Sequence, residues 1–149
     1  MNVDWLAVLF RWVHILAAVV AVGGVLFQRL VLMPSVRSSI DDAQRGRLHA
    51  EVTRRWKGVL MACIGLLLVS GFYNFFTISL GKAEGAPIYH SLFGVKFLAA
   101  LVVFFLGSAL VGRAKAFEGM RRDRARWLGI TAVLAVVVIL VSGVLKSIG

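Results

Sequence analysis

Residues Trp12–Met33 read WVHILAAVVAVGGVLFQRLVLM, and Pro34 follows. Crossing the hydrocarbon of a bilayer takes about 20 consecutive, mostly apolar residues in a helix. This stretch meets that length, and its only ionisable side chains are His14 and Arg29. Proline supplies no backbone N–H and opposes helix continuation, so Pro34 is the expected end of the run.

Outward from it, three further apolar runs are expected to span: 59–80, 91–111 and 127–145. The 149-residue chain is 60% hydrophobic, with a mean hydropathy of +0.88. Soluble domains lie nearer half apolar. The fold class expected is therefore an all-α integral membrane protein, a four-transmembrane-helix bundle forming one domain over residues 1–149. Trp12, Trp56, Tyr89 and Trp127 fall near predicted span ends, where interfacial aromatics concentrate.

The formal net charge is +10, from 17 Lys and Arg against 7 Asp and Glu. These cations cluster in two loops. One carries Arg37, Arg45, Arg47, Arg54, Arg55 and Lys57, the other Arg113, Lys115, Arg121, Arg122, Arg124 and Arg126. No stacking aromatics are interleaved with them as in a nucleic-acid surface, so the partner expected is the lipid bilayer with its anionic headgroups. The positive-inside rule places both loops in the cytoplasm, with the termini and the Lys82–Pro87 turn outside. A bacterial inner (plasma) membrane is the expected location. Within the first loop, Ser39 and Asp42 have capping-box spacing. Leu48, Val52 and Trp56 predict a surface helix leading into the second span.

An ionisable group inside the bilayer costs several kcal/mol and marks a functional site by default. His14 and Lys96 are such groups, and the topology puts both in the outer third. Arg11 and His14 share a helix face. That face continues through Ala18, Ala21, Gly24 or Val25 to Gln28, a stripe of small residues that admits a neighbouring helix or a flat cofactor. As a mere packing seam, the same stripe would leave His14 bonded to a neighbour's carbonyl. His90 opens the third span, about 9 Å along the helix from Lys96. Two imidazoles on adjacent helices can ligate haem iron or copper, while Lys96 can pair with a haem propionate or snorkel to the interface. Asn74 can bond across helices. Met33, Met61 and Cys63 form a soft donor set suited to an inner Cu(I) site, or else ordinary apolar filling. Ser108 and Gly112 make a small-xxx-small pair. A lone cysteine excludes an intrachain disulfide. The chain contains no CxxCH, HExxH or phosphate-binding glycine loop, which argues against c-type haem and hydrolases.

Arg11-Trp12-Val13-His14, Gly23-Gly24 and Leu30 to Pro34 resemble the first helix of copper-resistance D (CopD) domains. Arg54-Arg55 through Ser70-Gly71 and Asn74 resemble their second helix, and Pro87 to Tyr89 with Leu92 and Lys96-Phe97 the entry to their third. The chain is also similar to HemJ-type protoporphyrinogen oxidases, which carry a first-helix histidine, an arginine at that helix's far end and a third-helix lysine. His14, Arg29 and Lys96 fall in comparable places. The histidines that follow that lysine in those enzymes are absent, and the fourth span opens with Trp127-Leu128-Gly129 where theirs has a polar Asn-Glu-Pro-like entry.

These resemblances imply either haem b binding or copper passage. Three readings follow. The first is a haem b redox protein, in electron transfer or porphyrin oxidation, with His14 and His90 as metal ligands and Arg11, Arg29 and Lys96 around the cofactor; its partners would be a porphyrin or a redox protein. The second is a copper permease using His14 and His90 outside and Met33, Met61 and Cys63 inside. The third is a non-catalytic membrane scaffold, in which the polar residues only fasten helices. Homo-oligomers are compatible with all three.

Overall fold

The computed structural model describes the backbone of residues 4–79 and 87–148, with the side chains of 4–77, 91–145 and 147. Among these residues the chain is helical with no strand. Helix α1 (Trp5–Phe27) passes through a π-turn at Gln28–Leu32 into α2 (Met33–Ser39). Helix α3 (Asp42–Asn74) ends in a second π-turn at Phe75–Ser79. Helix α4 (Pro87–Val111), the short α5 (Glu118–Arg122) and α6 (Arg124–Ile148) complete the chain.

Among the described residues, four helical stretches are long and apolar enough to cross a membrane: Trp5–Ser39, Asp42–Thr77, Ser91–Val111 and Arg124–Leu145. Helix α4 begins at Pro87, ahead of the expected third span, and α6 runs over 124–148 around the expected fourth. The first two extend further. At 1.5 Å per residue, 35 residues reach about 52 Å, well beyond a hydrocarbon core of about 30 Å. The helix predicted from Leu48, Val52 and Trp56 is thus the projecting first part of α3 rather than a separate surface helix.

Two local expectations are corrected. Pro34 does not end the first helix. In the π-turn before it, Met33 N–H bonds to Gln28 O, one residue further back than in an α-helix. The wider turn relieves the clash between the proline ring and the preceding carbonyls, and the helix continues to Ser39. Nor is Ser39 a cap. Ile40 is extended, and Asp41 caps α3 by accepting from Gln44 N–H at 2.8 Å. At the other end of the chain, Asp4 caps α1 by accepting from Leu6 and Ala7 N–H, each at 3.1 Å.

The bundle consists of two close pairs, α1 with α3 and α4 with α6, that touch each other more sparsely. Trp56 seats the first pair. Its indole lies directly on Gly24, where a Cβ would run into the ring. Trp56 therefore packs between helices instead of sitting free at an interface, and it supports two of the apolar clusters. One of these joins Val25 and Met33 to Leu110, Leu128 and Ala132, and so links both pairs.

Arg124 ties the same end polarly, donating to Leu110 O at 3.1 Å and to Gln28 Oε1 at 3.3 Å. Outward-facing side chains such as Leu16, Val19, Leu30, Val69, Leu98 and Leu140 are mostly more than half exposed. So large an apolar surface needs a lipid solvent. The protein is an integral membrane protein.

Candidate functional site

Between the two helix pairs lies a cavity of about 920 Å³. It is at the upper end of the roughly 300–1,000 Å³ typical of ligand pockets. Its α1 wall is the stripe read from sequence: Arg11, His14, Ala18, Ala21 and Val25. The α3 wall includes Leu60, Ile64, Leu67, Gly71 and Asn74, and α4 adds Phe93, Lys96, Phe97 and Phe104.

The α6 wall was not anticipated. Thr131, Ala135, Val138, Ser142 and Leu145 all face the cavity. Their spacing of 4, 3, 4 and 3 residues is one face of a helix, a signal hidden in a span that is apolar on every side. Both hydroxyls are satisfied within the helix, Thr131 donating to Trp127 O at 2.8 Å and Ser142 to Val138 O at 2.7 Å.

Polar groups gather at the end nearest Trp5. Ser70 is fully buried at 0% exposure. Its Oγ donates to Leu66 O at 2.5 Å and lies 2.8 Å from His14 Nδ1. A hydroxyl has one hydrogen, and here it is committed to the backbone carbonyl. Ser70 Oγ is then placed to accept from Nδ1–H, which in a neutral imidazole leaves the lone pair on Nε2.

The ring lies over Gly71 of α3, where a Cβ would stand 3.5 Å from His14 Cε1, an ordinary van der Waals contact. One turn beyond Ser70, Asn74 Oδ1 is buried with no hydrogen-bond partner. Phe75 stacks on Phe93 at a 4.6 Å centroid distance, and Phe72 meets Phe97 edge-on at 5.9 Å. The polar end is thus flanked by aromatic rings.

Of the predicted residues, His14, Lys96 and Arg11 line one cavity together. Arg29 does not join them. It lies 15 residues along the helix from His14, about 22 Å away, with its Nε beside Gly129. The side chains of Tyr89 and His90 lie outside the described residues, as do residues 82–86 of the outer turn. Met33, Met61 and Cys63 are not brought together. Met33 belongs to the cluster around Leu110, and Cys63 packs with Ala17 and Leu67. Met61 is 46% exposed, with Ser108 Oγ 3.8 Å from its sulfur.

A protein of Aquifex aeolicus (strain VF5), described only as uncharacterized, is 29% identical over 144 residues, covering 95% of each chain. No family model matches this chain. No solved structure matches it either.

Proposed function

We propose that the protein is a membrane-embedded haem b redox protein, in which His14 would ligate the iron and Arg11 and Lys96 would pair with the carboxylates of the haem. The observation that carries this reading is the 2.8 Å contact between His14 Nδ1 and Ser70 Oγ. Second-shell bonding of one ring nitrogen orients a ligating histidine and raises the basicity of the other. Ser70 does this here, at the wall of a cavity large and apolar enough for a flat hydrophobic group.

Two cations at bilayer depth call for an anionic partner, and carboxylates of the macrocycle supply it. Phe72, Phe93 and Phe97 exclude water from the same end. When bound, haem carries one electron reversibly, at a potential set by its ligands and burial. In the orientation given by the basic loops, the His14 end faces outward from a bacterial inner membrane, and Arg37–Lys57 and Arg113–Arg126 face the cytoplasm.

The test is the absorption spectrum of detergent-purified protein before and after dithionite. A Soret band that shifts on reduction and is lost in His14→Ala, with the fold intact, is the expected result. A colourless wild-type protein, or an unchanged band in His14→Ala, would overturn the ligand assignment.

A further inference from the structure

The cavity is much longer than its polar end. From Arg11 to Val25 it follows α1 for about 21 Å. One lipid chain covers about half of the roughly 30 Å hydrocarbon core, or some 15 Å. Beyond His14 its walls are mostly apolar, with Ala21, Val25, Ile64, Phe104, Ala135 and Val138 among them, and the hydroxyls of Thr131 and Ser142 are bonded within their own helix. An apolar void of this length, surrounded by lipid, is a compartment for hydrocarbon.

The end where it stops has a definite charge. Arg11 and Lys96 line it, and no Asp or Glu does so among the described residues. The amide of Asn74, whose buried Oδ1 has no hydrogen-bond partner among the described residues, stands at the same end. An ionised carboxyl group accepts from both cations and, with the amide turned, from the Asn74 N–H2.

We propose that the cavity binds a single-chain lipid carboxylate from the bilayer, with the head at Arg11, Asn74 and Lys96 and the chain along Ile64, Ala135 and Val138. This inference stands on the cavity's length and charge and does not depend on the haem reading. The lipid acid and the macrocycle share the polar end, so each excludes the other, and membrane fatty acid becomes a competitor for the site.

Binding of radiolabelled hexadecanoate and octanoate to the detergent-solubilised full chain tests it, with free and micellar acid separated by dialysis. Wild type is expected to hold one hexadecanoate per chain, about tenfold or more tighter than octanoate. Lys96→Met should weaken both acids. Ala21→Phe, about 15 Å along α1 from Arg11, should weaken hexadecanoate alone, and Val103→Phe, at a half-buried position on α4, repeats that test if the first variant does not fold. Equal affinities for the two acids would mean that the chain is not held, and chain-length selectivity that survives both phenylalanine variants would mean partitioning into micelles; either result overturns the proposal. The Soret band is read separately, so loss of the haem reading leaves this result intact, and the reverse also holds.

Discussion

His14 Nδ1 and Ser70 Oγ stand 2.8 Å apart and join α1 to α3 within the bundle. The bond is directional because Ser70 spends its only hydrogen on Leu66 O. Ser70 therefore sets which imidazole nitrogen carries the proton, although it offers the cavity no chemistry of its own.

Ser70→Ala is expected to leave the fold in place and weaken haem binding about 10- to 100-fold, the usual cost of losing an outer-shell partner. Thr at the same position should restore most of the loss if its methyl group is accommodated. Spectroscopic titration of purified protein with haem reads the effect. An affinity unchanged in Ser70→Ala would show that the serine does not orient the ligand.

Gly24 and Gly23 are adjacent but should respond differently to alanine. A Cβ at Gly24 meets the Trp56 ring, whereas one at Gly23 finds nothing within 4 Å. Gly24→Ala should destabilise by about 1–3 kcal/mol, the range for overpacking a filled site. Gly23→Ala should be neutral or mildly stabilising, since alanine is the better helix former. Thermal unfolding in one detergent compares them, and equal melting temperatures would contradict the packing described for Trp56.

Much of this arrangement is legible in the chain. The α1 stripe from Arg11 to Val25 follows from helical periodicity, and so does its meeting with Lys96, because two charged or titratable residues at one depth must share a polar place in lipid. The π-turn before Pro34 is not legible, since proline alone predicts a break and only the chain's register shows how the ring is accommodated. Nor is the α6 face visible, because in a membrane the lipid side is as apolar as the core and Thr131 and Ser142 are the only marks on it. The same physics hid the dispersal of Met33, Met61 and Cys63: sequence gives depth along a helix but not the direction in which each side chain turns.

The basic loops make the topology testable. In a Cys63→Ala background, a cysteine at Trp5 should react with a membrane-impermeant thiol reagent on intact cells. Cysteines at Ser38 or Ala50 should react only after permeabilisation. Reaction at Ser38 in intact cells would reverse the orientation and put the His14 end in the cytoplasm.

Arg124 offers the sharpest test of how the two helix pairs are held. Its guanidinium bridges Gln28 Oε1 on the first pair and Leu110 O on the second. Gln28 is only 5% exposed, so truncating the arginine leaves a buried amide oxygen and a carbonyl without their donor. An abandoned buried polar group costs about 1–3 kcal/mol. Arg124→Ala should therefore lower the unfolding temperature clearly. Gln28→Met should cost less, because methionine fills similar space and removes the stranded group along with the bond. In the double variant the two losses should fall short of adding, as they do for residues in one network. Strict additivity in that cycle would mean that Arg124 and Gln28 act independently, and that the close approach of the two pairs at this end rests on the apolar cluster of Val25, Met33, Leu110 and Leu128 alone.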